Sequence, residues 1–304
     1  MGMYEHMAKL AEATPCWDIP IQKGLSWSLR KAPHALISGT TGYGKSYFAN
    51  YLLAMASIKG CALYLCDPKN SDLASLAAFM PSERVAWEAD GIRSIVGEVV
   101  RIMSARYACM KREREERGLF QADFADFGLA PVLLVIEELA AFVSSLDKKS
   151  REAFDADIKA ITLQGRQAGV NLVSVMQSPN TNNISSESRS QMGFRVFLGS
   201  SGGIEHRMLF GEGHSFPARL YQPGQGLYMM AGFTDKPELI ETPRMDKAQL
   251  GDTMRRALAP QYAIDPLAAL GSRSEAEAGS AAPSGTRGPE GADYDAPSVS
   301  SAYC

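Results

Sequence analysis

The segment Gly39-Thr40-Thr41-Gly42-Tyr43-Gly44-Lys45-Ser46 constrains this chain more than any other eight residues. Its form is G-x-x-x-x-G-K-[ST], which gains specificity from a strand before it and a helix behind it. Both are predicted here: His34-Ala-Leu-Ile-Ser38 is a short apolar strand-like run, and Tyr47 to Ser57 follows as a helix. Glycines let the loop's backbone N–H groups converge on phosphate oxygens, and the helix points its positive N-terminal end at the same charge. All eight residues are therefore candidate nucleotide ligands. Lys45 is expected to reach the β- and γ-phosphates of ATP, and the Ser46 hydroxyl to bind Mg²⁺.

The rest of the chain alternates apolar runs with helical patterns, which predicts an α/β fold with a central, mostly parallel sheet flanked by helices. Further strands are expected at Ala62–Cys66, Val132–Ile136, Val170–Met176 and Phe194–Leu198, with two later extended pieces at Gly226–Ala231 and Pro237–Glu241. Long helices are expected over Ile92–Arg117 and Phe154–Ala168.

Two strand ends complete a candidate hydrolytic site. Val132-Leu-Leu-Val-Ile136 runs into Glu137-Glu138, so one carboxylate falls near the metal and the next near the γ-phosphate. Glu137 is expected to orient the Mg²⁺ shell through water, and Glu138 to polarise the attacking water as general base. Gln177 ends the strand Val170–Met176, where a polar side chain can sense the γ-phosphate, because ligands of such sheets bind at the carboxyl ends of strands.

At 304 residues and 45% hydrophobic content the chain can bury a large core. The expected organisation is a lead-in over 1–31, a motor domain over 32–250, a helical segment over 251–270 and a disordered tail over 271–304. The tail is rich in Ser, Ala, Gly and Pro and short of large apolar residues. Five scattered cysteines do not read as a disulfide framework; Cys61 and Cys66 bracket a strand and are expected to be buried. No metal-ligand spacing links them to the four histidines. Neither a signal peptide nor a membrane span is legible, so the expected compartment is the cytoplasm, with membrane association only through partner proteins. A net charge of −3 argues against a surface coated in positive charge, while leaving room for a basic channel.

Five motifs in order resemble the FtsK/SpoIIIE branch of DNA-pumping P-loop ATPases, whose fold is RecA-like. They are Pro33-His34 leading into Gly39-Thr-Thr-Gly42, Asp67-Pro68-Lys69, Arg106-Tyr107 with Met110, Gln164-Gly-Arg166-Gln-Ala-Gly169, and Gln177-Ser-Pro179. Two residues depart from the family pattern. Glu137 stands where Asp is usual, and Tyr43 occupies a loop position often held by Ser, read here as an exposed variation. The single motor domain looks more like a stand-alone motor of conjugative or integrative elements than a chromosome translocase.

The resemblance implies a homo-oligomeric ring, usually a hexamer, with DNA as the moving partner and an arginine supplied in trans to the γ-phosphate. Arg195 is the first candidate for that arginine, with Arg189 and Arg207 next. It also points to the Ser- and Asn-rich stretch from Gln177 to Gln191, including Asn180 and Arg189, as a DNA-facing loop. The alternating charges of Lys111–Arg117 read as a solvated helix face. Two other functions share the nucleotide site: an ATPase that drives protein secretion, and a non-hydrolysing module whose assembly is set by nucleotide.

Overall fold

The computed structural model describes residues 2–179, 184–200, 203–217 and 219–268. The tail expected over 271–304 lies outside them. In chain order the elements are α1 (Met3–Ala13), β1 (Asp18–Gln22), β2 (Leu25–Ser28), β3 (Ala35–Gly39), α2 (Lys45–Ile58), β4 (Ala62–Cys66), β5 (Val85–Ala86) and α3 (Ala89–Arg117). There follow β6 (Val132–Glu137), α4 (Leu139–Ser145), α5 (Lys148–Ala168), β7 (Val170–Met176), α6 (Ser186–Ser190), β8 (Phe194–Leu198), α7 (Ile204–Phe210), β9 (Gln225–Met230), β10 (Glu238–Glu241) and α8 (Lys247–Leu258).

The main sheet has the order β10-β9-β8-β3-β7-β6-β4-β5. From β8 to β5 neighbouring strands are parallel, and β9 and β10 extend the sheet antiparallel. The expected mostly parallel α/β sheet is therefore present. Its central strands are largely apolar because helices cover both faces. In β6, Leu133 and Val135 enter the core beneath α1, α2 and α8, while Val132, Leu134 and Ile136 enter the core beneath α3, α4 and α5. Burying each such side chain contributes about 1.5–3 kcal/mol, so a one-residue slip that turned them to the opposite face would be costly.

Residues 2–31 do more than lead in. Strands β1 and β2 form a separate antiparallel hairpin whose Trp27 is fully buried. Its ring stacks on Phe194 of β8 at 5.6 Å, and its Nε1–H donates to the Ala32 carbonyl at 2.7 Å. At the other end, a fully buried Gln261 donates to Ser57 Oγ and Cys61 O and accepts from the Leu63 N–H of β4. These contacts need partners far apart in sequence, so local periodicity did not reveal them. Cys61 and Cys66 are buried thiols, as expected. On α3, Arg117–Glu113 and Arg112–Glu116 ion pairs line a largely exposed face, with Glu113 itself buried.

Two motif residues outside the glycine loop, His34 and Arg106, serve as scaffolding. His34 is fully buried with φ +59°. Its carbonyl accepts from Phe194 N–H of β8, its own N–H donates to Asn171 Oδ1, and Nδ1 accepts from Leu172 N–H of β7. The residue thus ties the start of β3 to both neighbouring strands. Arg106 is equally buried and donates to the carbonyls of Ala130, Ala168 and Pro266, closing the lower end of β6 and β7 against the C-terminal segment.

Burial pushes the His34 pKa down to about 4, so the ring stays neutral in the fold while the unfolded chain still titrates near 6.5. As pH falls from above 6.5 towards 4, the unfolded state takes up a proton that the folded state refuses, and stability is lost. Between pH 7 and 5 this residue alone is expected to cost about 2 kcal/mol. His34→Asn keeps a short acceptor and a left-handed backbone; denaturant melts at the two pH values should show a correspondingly smaller acid loss for the variant.

Candidate nucleotide site

The glycine loop leaves β3 between its neighbours and turns into α2. At Gly39 (φ +147°) a side chain has no room, since a Cβ would overlap the Leu198 carbonyl of β8. The close approach brings Thr40 N–H to Leu198 O at 3.0 Å, and Thr40 Oγ1 donates to Ser200 O at 2.9 Å. Thr41 and Gly42 form the exposed crest, and Gly44 with Lys45 and Ser46 begins the descent into the helix.

Tyr43 corrects its expected exposure. It is half-buried, its ring packed where a Cβ on Gly199 would come within 2.7 Å, and its carbonyl accepts from Gly224 N–H at 3.0 Å. The aromatic ring thus braces the loop against the end of β8, which a small Ser could not do. The Lys45 Nζ donates to Gly39 O at 2.7 Å and Thr40 O at 3.1 Å. Burial lowers its pKa, opposed by the Glu138 and Glu137 carboxylates.

Glu137, the last residue of β6, accepts from Ser46 Oγ at 3.2 Å through Oε1. Its Oε2 is buried and has no hydrogen-bond partner. Burial pushes its pKa up, and the negative charge of Asp67 pushes it further; the Ser46 bond opposes this, while Asp72 and Glu138 add to it. A buried, half-satisfied carboxylate beside a hydroxyl, in a negative field, fits a divalent cation. Among the described residues no group of three or more His, Cys, Asp or Glu side chains could hold a metal alone. Ser46 and Glu137 therefore suit Mg²⁺, which takes one or two protein ligands and fills its octahedron with phosphate oxygens and water.

Glu138 follows directly, with φ +50° and ψ +53°. Its N–H donates to the Val175 carbonyl of β7 at 2.6 Å, and its carboxylate pairs with Lys69 Nζ at 3.2 Å. Lys69 was not singled out as a site residue, although Asp67-Pro68-Lys69 follows a strand end. Its meeting with Glu138 depends on β4 lying next to β6. Fully buried Asp67 shapes that loop by accepting from the N–H groups of Lys69, Ser71 and Ala74. Gln177 stands just past β7, its side chain exposed and its carbonyl accepting from Ser38 Oγ at 3.0 Å.

Lys45, Ser46, Glu137, Glu138 and Gln177 thus share one end of the sheet, and Arg195 does not join them. Paired with Leu36, it sits three residues below the Leu198 level, about 10 Å down the strand. Its guanidinium donates to the Met192, Ser190 and Leu209 carbonyls. With Arg189 and Arg207 it lines a separate surface cavity of about 590 Å³. Arg189 donates to Pro179 O at 2.7 Å, and Asn180 lies outside the described residues.

The left-handed backbone at Glu138 costs about 1–2 kcal/mol in a residue with a Cβ. Glu138→Gly should therefore be more stable than Glu138→Ala by about 1 kcal/mol, the reverse of the usual order near a helix start; urea titrations of the two variants measure it.

Comparison with known proteins agrees with this fold. The chain is 33% identical over 208 residues to the FtsK domain-containing protein YdcQ of Bacillus subtilis, covering 68% of this chain and 43% of that one. It is 25% identical over 236 residues to the DNA translocase FtsK of Corynebacterium efficiens, covering 71% of this chain and 24% of that protein. The chain therefore spans less than half the length of these curated relatives. Among solved structures, the fold is similar to the pCW3 conjugation coupling protein TcpA in its monomer form with ATPγS. The TM-score is 0.62 at 16% identity, over 80% of this chain and 71% of that one. The FtsK/SpoIIIE family model matches residues 16–176, more than half of the sequence, from the hairpin that braces β8 to the end of β7; the chain belongs to the FtsK/SpoIIIE family.

Proposed function

We propose that this chain hydrolyses ATP with Mg²⁺ and uses the cycle to move DNA through a homo-oligomeric ring, as the motor of a conjugative or segregation-like apparatus. The observation that carries the chemistry is the meeting of Lys45, Ser46, Glu137 and Glu138 at the carboxyl ends of β3 and β6. Membership of the FtsK/SpoIIIE family supports the DNA substrate. So does the description of one relative as a DNA translocase and of a structural neighbour as a conjugation coupling protein. Residues 32–250 form the motor unit in this reading, with the described residues 2–31 and 251–268 packed onto it. No described helix is long and apolar enough to cross a membrane. We place the motor in the cytoplasm, joined to any membrane-embedded transfer complex by partner proteins.

Loop N–H groups and the N-terminus of α2 would receive the phosphates, with Lys45 leaving its carbonyl partners for the β- and γ-oxygens. Mg²⁺, held by Ser46 and Glu137, would offset the charge on those oxygens. Glu138 takes a proton from the attacking water, which forms its bond to the γ-phosphorus as the bond to the leaving ADP oxygen breaks. Gln177, beside the same end of β3, reports loss of the γ-phosphate along β7. The third charge stabiliser is an arginine from a neighbouring subunit. Arg195 is our first candidate, with Arg189 and Arg207 on the same cavity wall as the others.

ATPase rates with duplex DNA, single-stranded DNA and buffer alone test the whole reading. Strong stimulation by DNA is expected, lost by at least 10²-fold in Glu138→Gln while ATP binding persists; removing an essential general base costs about 10²–10⁴-fold. Hydrolysis indifferent to DNA would instead favour a protein-moving ATPase, and none at all a nucleotide-regulated binding module. For the arginine, Arg195→Ala subunits that still bind ATP should depress hydrolysis when mixed into wild-type assemblies. Normal turnover by the pure variant at saturating protein would remove Arg195 from the mechanism.

A further inference from the structure

The Asp67-Pro68-Lys69 motif has no role in the chemistry above, yet it delivers an ammonium to the carboxylate assigned as general base. We propose that Lys69 exchanges partners between Glu138 and the γ-phosphate, so that binding of ATP, and not of ADP, releases the base for the attacking water. The inference rests on the proposed ATPase reading and assigns a positioning and nucleotide-discriminating residue within it.

Both backbones of the pair are fixed, whereas only one side chain is free to leave. Asp67, fully buried, accepts from Lys69 N–H at 3.2 Å, Ser71 N–H at 2.7 Å, Ser71 Oγ–H at 3.1 Å and Ala74 N–H at 3.0 Å, which freezes the turn after β4. Glu138 is held by its N–H on Val175 O and by its place at the head of α4. The Glu138 side chain is only 14% exposed, while that of Lys69 is 44% exposed on a flexible four-carbon stem. Lysine is thus the mobile member. While it donates to Glu138 Oε2, it occupies an oxygen that would otherwise receive the water's proton.

A γ-phosphate is the competitor the surroundings call for. Glu137 and Glu138 at the end of β6, and Asp67 just past the end of the neighbouring β4, already crowd this end of the sheet with negative charge. The only lysine the glycine loop supplies is Lys45, anchored on Gly39 and Thr40 carbonyls. A phosphate dianion added here draws cations beyond Lys45 and Mg²⁺, and Lys69, already on Glu138 at 3.2 Å, stands at the same end of the sheet. ADP, lacking the γ-phosphate, offers no such competition and leaves Lys69 on the base.

The test is a double-mutant cycle read by binding. Affinities for ATPγS and for ADP, each with Mg²⁺, are measured for the wild type, Lys69→Met, Glu138→Gln and the double variant. Lys69→Met is expected to weaken ATPγS about tenfold, the worth of one charge-assisted hydrogen bond, and to leave ADP within about twofold. Glu138→Gln, which releases Lys69, should tighten ATPγS severalfold, and most of that gain should disappear in the double variant. Lys69→Arg should retain the preference for ATPγS. Retained ADP affinity shows that the variants are folded. Equal weakening of both nucleotides by Lys69→Met, or strict additivity of the two substitutions for ATPγS, overturns the exchange while leaving the ATPase reading intact. Failure of the wild type to bind either nucleotide overturns both.

Discussion

Strands β3, β7 and β6 run parallel and in register, and every functional geometry described above depends on that constraint. The pairing sets Ser38 beside Met176 and Glu137 beside Val175, so three strands deliver their last residues to one level. Register of this kind is enforced by burial on both faces, since no strand can slide without exchanging one apolar set for another. The result is a fixed ledge that brings the glycine loop, two carboxylates and Gln177 to one end of the sheet. Hydrogen bonds from strand to loop reinforce it: Glu138 N–H to Val175 O, Ser38 Oγ–H to Gln177 O, and Thr40 N–H to Leu198 O.

The lower end of the sheet carries the residues that keep the ledge in place. His34 and Arg106 tie backbone carbonyls and N–H groups at the starts of β6, β7 and β8. Burial holds the Arg106 guanidinium down at about 10, still charged at neutral pH, and several carbonyls satisfy it. These two signature residues therefore help set strand register. At the upper end the balance reverses. Glu137 has an unpartnered buried oxygen and Glu138 a left-handed backbone, both unfavourable for folding alone and both in keeping with the cation and proton roles proposed for them.

Local pattern made much of this legible. The glycine loop, the buried strands Ala62–Cys66, Val170–Met176 and Phe194–Leu198, and the carboxylates ending β6 could be read directly, because each depends on residues adjacent in the chain. The hairpin β1–β2, the short β5 and the helix α1 were not foreseen. Trp27 makes sense only against Phe194, and Gln261 only against β4. Tyr43 was misread as exposed, because its packing partner Gly199 is distant in sequence.

The sequence by itself determined the phosphate loop, the carboxylate pair and the α/β alternation, since these follow from spacing and from the chemistry of single side chains. Only the tertiary structure decided who meets whom. It put β4 beside β6, and so Lys69 on Glu138; it held Ser46 against Glu137, and it set Arg195 about 10 Å below the ledge, on three carbonyls. Strand order is a property of the whole core, because it is chosen by which apolar faces the helices can cover together. No local window of the chain contains that choice.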